Sequence, residues 1–140
     1  MKPHWIFYLA VGLTTAGWVS LTSWIGRDTN CYMDNCTPQA VLSWIGLSAI
    51  LIVSTAASTR RMGRVSLRSL IGLAATFTLS GMLALASWLY ALDPADTSEA
   101  WLVAVFGPFF GIPVVLGAAL VVALLVQRFW PRHSDADSVP

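Results

Sequence analysis

Arg27-Asp-Thr-Asn-Cys31-Tyr-Met-Asp-Asn-Cys36-Thr-Pro38 is the only strongly polar segment between the first two apolar runs of this chain. The chain around it has 140 residues, of which 56% are hydrophobic and only 11% are charged. Soluble domains carry about 25% charged residues, and a soluble protein of this size could not cover so much apolar surface. The composition therefore predicts an integral membrane protein with a single domain.

Four apolar runs alternate with polar segments along the chain. The runs lie at about residues 5–25, 40–57, 67–92 and 100–127. About 20 helical residues cross a hydrocarbon layer of about 30 Å, and in lipid the backbone must satisfy its own hydrogen bonds. The sequence therefore predicts an all-α fold, a polytopic four-helix transmembrane bundle over residues 1–130. A polar cytoplasmic tail is expected over residues 131–140.

The distribution of lysine and arginine predicts the orientation. If the N-terminus lies inside, seven of the eight basic residues are cytoplasmic and only Arg27 is external. Basic residues favour cytoplasmic loops, so we expect an N-in/C-in protein. The external side then holds Asp28, Asp34, Asp93, Asp96 and Glu99. The predicted location is a cell (inner) membrane, with the cysteine loop external or periplasmic.

The loop between the second and third runs is basic. We expect it to form an inner-surface patch on anionic headgroups, where each charge contributes roughly 1 kcal/mol. The residues of this patch are Arg60, Arg61, Arg64 and Arg68.

Cys31 and Cys36 are the only cysteines, and both fall in the predicted external loop. An oxidising compartment favours a disulfide, which would staple this loop. Two alternatives are thiol–disulfide exchange and a soft-metal site completed by Met33, because thiolate and thioether ligands suit copper(I). We predict the disulfide and no metal site.

The size and topology resemble those of four-helix quinone-coupled oxidoreductases of the disulfide-bond-forming and vitamin K epoxide reductase types. Those families relay electrons between two cysteine pairs, one of them Cys-x-x-Cys. This chain has one pair with Cys-x4-Cys spacing. The resemblance therefore implies the general topology, while the relay lacks its second pair.

Apart from Arg68, at the start of the third run, no Asp, Glu, Lys, Arg or His lies within the four apolar runs. Ion-coupled transporters keep ionisable groups at membrane depth, and small multidrug transporters, with the same helix count, depend on a buried glutamate. His4 and His133 lie outside the runs, which argues against haem ligation within the membrane. We expect no catalytic residues and no cofactor. The absence of a long basic run also predicts no nucleic-acid partner.

Small residues recur at every fourth position in three runs. This spacing lets helix backbones approach closely, either within a bundle or at a partner face. The positions are Gly12, Ala16 and Ser20, then Gly72, Thr76 and Ser80, and finally Gly107 and Gly111.

The last run contains Phe106-Gly-Pro-Phe-Phe-Gly-Ile-Pro113. Pro108 and Pro113 each remove one helical hydrogen bond, so we expect a kink. The alternatives are a discontinuous helix whose freed carbonyls line a site, and a hydrophobic groove for lipid, quinone or a partner helix.

The sequence predicts a small non-enzymatic membrane interaction protein, either an accessory subunit of a membrane complex or an immunity-type protein. Its expected partners are the lipid bilayer and a membrane protein or further copies of itself. The alternatives are an oligomeric transport or channel component, a lipid- or quinone-binding protein and, third, a thiol–disulfide redox protein. A channel would need a continuous polar stripe. Its candidate residues are Thr14, Thr15, Ser20, Thr22, Thr76, Thr78 and Ser80.

Overall fold

The computed structural model describes residues 4–28, 37–62, 65–92 and 94–129. These residues form four α-helices, α1 (His4–Asp28), α2 (Thr37–Met62), α3 (Leu67–Leu92) and α4 (Ser98–Phe129). All four are long and apolar enough to cross a membrane. The predicted all-helical, multi-pass architecture is confirmed at this level.

Three sequence predictions concern residues outside the described part of the chain. They are the disulfide between Cys31 and Cys36, the place of Arg64 in the basic patch, and the tail over residues 131–140. Each stays a prediction.

The second helix is longer than the apolar run from which it was predicted. It begins at Thr37 and ends at Met62, with Arg60 and Arg61 in its last turn. Basic side chains in a last turn interact favourably with the negative end of the helix dipole. Pro38 lies in the first turn, where a missing N–H costs no helical hydrogen bond.

Consecutive helices of the bundle run antiparallel. Phe7 of α1 lies beneath Arg61 near the end of α2, while Trp18 reaches Ser43 near its start. In α3 and α4, Thr78 faces Gly111 and Met82 faces Gly107.

The neighbours in space differ from the neighbours in sequence. The most extensive interfaces are those of α3 with α4 and of α3 with α1, whereas the interface between α2 and α3 is small. Tyr8 faces Gly72 and Gly12 faces Thr76, so α1 and α3 run parallel. In the described part of the chain α1 makes no contact with α4.

The two ends of the bundle differ in charge. Arg60, Arg61 and Arg68 lie at the end where α1 begins, together with Arg128 of α4. We call this the basic end. The opposite end, which we call the acidic end, holds Asp96 and Glu99 beside the start of α4.

The bundle buries small and hydroxylated side chains and exposes large apolar ones. Phe109 is 73% exposed and Trp44 is 72% exposed. Lipid tails are as apolar as leucine, so burying a large apolar side chain adds little driving force in a membrane. The buried polar residues are Thr15, Thr22, Ser54, Thr55, Ser58, Thr59, Ser69 and Thr78.

Hydroxyl and indole groups join the helices near both ends. At the basic end the Oγ atoms of Ser58 and Ser69 lie 2.8 Å apart, and the Tyr8 hydroxyl donates to Ser69 Oγ at 3.3 Å. Nearer the acidic end Trp18 Nε1 donates to the carbonyl of Ser43 at 3.2 Å. Between these groups lies an apolar cluster of Val11, Leu73 and Phe77. These contacts join α1 to both α2 and α3.

An aspartate organises the start of α4. The Asp96 Oδ1 atom accepts hydrogen bonds from the Ser98 hydroxyl at 2.6 Å and from the Ser98 backbone N–H at 3.1 Å. These two bonds, the side-chain bond first, lower the pKa of the Asp96 carboxyl. The stabilisation is present above the ordinary pKa of aspartate and is lost as the pH falls through the lowered value.

Candidate functional site

Among the described residues a groove lies between α1 and α3, and we call it the α1–α3 groove. Its volume is about 840 Å³, and it opens sideways, towards the space that a bilayer would fill. On α1 it is lined by Trp5, Tyr8, Leu9, Gly12, Leu13, Ala16 and Ser20. On α3 it is lined by Thr76, Ser80, Leu83, Ala84, Ser87 and Trp88.

The groove spans most of a hydrocarbon layer. From Trp5 to Ser20 the α1 backbone rises about 23 Å, at 1.5 Å per residue. Trp5 lies towards the basic end and Trp88 towards the acidic end. Tryptophan favours the two interfaces of a membrane, and these two residues lie near opposite ends of the groove.

Small residues line the groove from both helices. Gly12, Ala16 and Ser20 line it from α1, and Thr76 and Ser80 line it from α3. A Cβ atom at Gly12 would lie 3.3 Å from Thr76 Cγ2. The two backbones therefore approach closely, and the α1–α3 groove lies beside their contact.

Three other glycines of the small-residue pattern lie elsewhere. Gly72 lies beneath the Tyr8 ring, and its Cβ position is 3.2 Å from that ring. Gly107 and Gly111 face α3, against Met82 and Thr78. These glycines contact other helices of the same bundle.

The hydroxyl groups that line the groove differ in whether they make hydrogen bonds. Ser80 donates to the Phe77 carbonyl at 3.2 Å, and Ser87 donates to the Leu83 carbonyl at 2.7 Å. The hydroxyls of Ser20 and Thr76 make no hydrogen bond to any described residue. In lipid, such hydroxyls are available to a helix that lies in the groove.

The residues of the candidate polar stripe lie on different surfaces of the described bundle: Ser20, Thr76 and Ser80 line the groove, whereas Thr78 faces α4. Thr14, Thr15 and Thr22 donate to carbonyls one turn earlier in α1, as helical threonines commonly do. The apolar cluster of Val11, Leu73 and Phe77 lies inside the bundle. Thr78 is buried beside Gly111, and its hydroxyl has no partner among the described residues.

The prolines lie within one unbroken helix. α4 runs from Ser98 to Phe129 with Pro108 and Pro113 inside it. Neither proline can donate a backbone hydrogen bond, so the carbonyls of Ala104 and Phe109 lose their usual partners. Ala104 also lines a smaller cleft of about 370 Å³ at the acidic end, together with Tyr90 and Trp101.

The basic end presents exposed arginines. Arg60, Arg61 and Arg68 are all exposed, and the Arg61 guanidinium lies 5.4 Å from the centre of the Phe7 ring. This cation–π contact leaves the charge of Arg61 at the surface.

Within residues 4–28, 37–62, 65–92 and 94–129, no group of three His, Cys, Asp or Glu residues is placed to hold a metal ion. The alternative soft-metal site at Cys31, Met33 and Cys36 lies outside these ranges.

The contact of Trp18 with Gly46 was not anticipated from the sequence. A Cβ atom at Gly46 would lie 2.0 Å from Cε2 of the Trp18 indole. Tryptophans and glycines within apolar runs are each common, and no sequence spacing relates residues on different helices. A glycine in the middle of an apolar run was the only available signal.

No protein-family model, curated protein or solved structure matches this chain.

Proposed function

We propose that this chain is a small non-enzymatic membrane interaction protein, and that it receives a transmembrane helix in the α1–α3 groove. The supporting observation is the groove itself, which is open towards the bilayer and lined by small residues from two parallel helices. The first set of predicted small residues and two members of the second, Thr76 and Ser80, thus line one continuous surface. An accessory subunit or an immunity-type protein acts by such docking.

A helix matches the shape and chemistry of the groove. The groove extends for about 23 Å, close to the thickness of a hydrocarbon layer of about 30 Å. Small residues on its floor let a third backbone approach, which increases van der Waals contact. Ser20 and Thr76 offer hydroxyls, and each hydrogen bond between helices contributes roughly 0.6–2 kcal/mol in membranes.

The proposal includes the orientation of the bundle. The basic end, with Arg60, Arg61, Arg68 and Arg128, faces the cytoplasm, because basic residues are retained on that side. Both ends of the chain are then cytoplasmic, and the acidic end is external.

Reporter fusions test this orientation. A reporter joined after Pro140 is expected to lie in the cytoplasm. A reporter joined after Ala95 is expected to lie on the external side of the membrane. The two fusions control each other, because they lie at opposite ends of α4. Reversed activities in both would contradict the proposed orientation.

Photo-crosslinking in the native membrane tests the docking proposal. A photoactivatable amino acid at Leu83, which is 56% exposed on the groove rim, is expected to form a protein adduct of defined mass. The matched control is Val121 of α4, which is 57% exposed but lies outside the groove. We expect only lipid adducts at Val121.

A second pair of variants shows whether the adduct depends on the groove. Ala16→Leu places a large side chain on the groove floor, and we expect it to abolish the Leu83 adduct. Ala118→Leu makes the same change on an exposed surface of α4 and should leave the adduct intact. If the Leu83 position yields lipid adducts alone, the docking proposal is wrong and a lipid- or quinone-binding groove replaces it.

A further inference from the structure

We propose that the basic end holds a binding site for a phosphate group, in a small pocket where α1, α2 and α3 meet. The pocket has a volume of about 20 Å³ and is lined by Phe7, Tyr8, Ser58, Arg61, Met62 and Ser69. Of these residues only Tyr8 also lines the α1–α3 groove. The site therefore stands independently of what the groove receives.

Three hydroxyl groups meet at the pocket, and one of their protons has no acceptor. Tyr8 directs its hydroxyl proton at Ser69, 3.3 Å from Oγ and 3.5 Å from the carbonyl oxygen. Ser58 and Ser69 share one hydrogen bond of 2.8 Å, which uses one of their two protons. Neither serine donates another hydrogen bond to a described residue, although Ser58 is only 6% exposed and Ser69 only 5%. Buried hydroxyl protons are normally paired, so the remaining proton requires an acceptor from outside the described chain.

Arg61 adds a positive charge and further donors to the same pocket. Its guanidinium group carries five N–H donors and no acceptor. The guanidinium lies 5.4 Å from the centre of the Phe7 ring, and this contact holds it beside the pocket. In the described part of the chain the acidic residues are Asp28, Asp96 and Glu99, which belong to the opposite end of the bundle. Arg61 therefore has no carboxylate partner among the described residues.

These groups match an anionic oxygen better than a water molecule. About 10–15 Å³ is enough for one water-sized group, so a single oxygen atom fits the pocket. A water molecule must donate two protons of its own, whereas a phosphate oxygen only accepts. Hydrogen bonds between arginine and phosphate are also about twice as strong as those between neutral groups. One phosphate oxygen then enters the pocket, and the rest of the group stays beside the exposed Arg61 side chain.

The position of the pocket favours a lipid headgroup as the source of the phosphate. Arg61 lies in the last turn of α2, and Ser69 lies in the first turn of α3. The ends of membrane-spanning helices lie at the headgroup layer, where lipid phosphates are concentrated. Inorganic phosphate offers the same chemistry, so the test includes both.

Native mass spectrometry of the full chain, in a maltoside detergent and a buffer without phosphate, tests the site. Dioctanoyl phosphatidylglycerol is compared with dioctanoylglycerol, which has the same acyl chains and no phosphate. We expect the first to bind at least roughly tenfold more tightly. Given that preference, competition by inorganic phosphate would show that free phosphate also binds, and its absence would assign the lipid as the source. Equal binding of the two lipids would leave only water in the pocket and overturn the proposal.

Two arginine variants separate the pocket from the general charge of the basic end. Arg61→Gln is expected to weaken phosphatidylglycerol binding by roughly tenfold or more. Arg128→Gln removes an exposed charge at the same end but outside the pocket, and screening should keep its effect below about twofold. Equal losses in the two variants would mean that the lipid follows the overall charge, and the pocket would not be a site.

A serine pair tests the unpaired proton. Ser58→Ala is expected to weaken binding several-fold, whereas Ser54→Ala changes a buried serine one turn earlier that does not line the pocket. Helical circular dichroism checks that each variant is folded. Should Ser58→Ala not fold, Arg61→Lys at its exposed position keeps the charge without the planar fork, and its affinity should fall between those of Arg61→Gln and the natural chain. Natural affinity in a folded Ser58→Ala variant, or in Arg61→Gln, would contradict the site.

Discussion

Gly46→Ala is expected to lower the free energy of unfolding by about 3 kcal/mol, the upper part of the usual range for overpacked sites. The added Cβ atom would lie 2.0–2.3 Å from three atoms of the Trp18 indole. A rigid ring cannot move aside as a flexible chain end does. The indole must rotate out of its place, and its hydrogen bond to the Ser43 carbonyl is then lost.

The effect should be seen in unfolding by sodium dodecyl sulfate in mixed micelles, followed by helical circular dichroism. The matched control is Gly17→Ala on the exposed side of α1, where a Cβ atom meets nothing within 4 Å. That variant should be neutral or slightly stabilised, because alanine favours the helix over glycine by up to about 1 kcal/mol.

A double variant locates the cause in the indole. Trp18→Leu removes the ring, so adding Gly46→Ala to that background should cost much less than in the natural sequence. Equal costs in the two backgrounds would show that Trp18 is not the obstacle. Gly46→Ala with the stability of Gly17→Ala would contradict the close packing of α1 on α2.

Gly111→Ala is expected to lower the free energy of unfolding by roughly 2 kcal/mol. Its Cβ atom would lie 2.6 Å from Thr78 Cγ2, on a buried and branched side chain of α3. Relief requires Thr78 to change rotamer or the two helices to separate. The interface of α3 with α4 is one of the two most extensive in the bundle, so separation loses much packing.

Gly107→Ala provides the comparison on the same helix pair. Its Cβ atom would lie 2.8 Å from Met82 Sδ, but methionine is unbranched and can adjust. We therefore expect a clearly smaller loss for Gly107→Ala than for Gly111→Ala in the same unfolding measurement. Met82→Leu should enlarge the loss at Gly107, because leucine is branched and adjusts less easily.

Thr78→Ser removes the Cγ2 atom and should restore most of the stability lost in Gly111→Ala. The Thr78 hydroxyl has no partner among the described residues, so the serine background loses no hydrogen bond seen there. A Gly111→Ala loss that persists in the Thr78→Ser background would contradict this explanation.

The helical architecture was predictable because it depends on local composition. About 20 apolar residues suffice to predict a crossing helix, and no knowledge of its neighbours is needed. The residues at which each helix begins and ends were less predictable. Arg60 and Arg61 belong to α2 although they lie beyond its apolar run, because a helix continues into the interface where water and headgroups accept charge.

The small-residue spacing predicted close approach without identifying the partner of each residue. The same spacing occurs at two different kinds of place. Gly12 and Ala16 line an open groove, whereas Gly111 packs against α3. Spacing along one helix fixes only which residues share a face. Which other helix meets that face depends on the order of helices in the bundle, to which every helix pair contributes.

The sequence by itself determined that the chain forms four apolar helices long enough to cross a membrane, because transfer from water to lipid acts on each segment separately. Only the tertiary structure decided that α1 lies beside α3 and not α4, and that Trp18 covers Gly46. Inside a bilayer every apolar surface is equally well solvated by lipid, so helix order follows from shape and hydrogen bonding between particular side chains. Those contacts join residues distant in sequence, as Tyr8 and Ser69 show, and no local pattern encodes them.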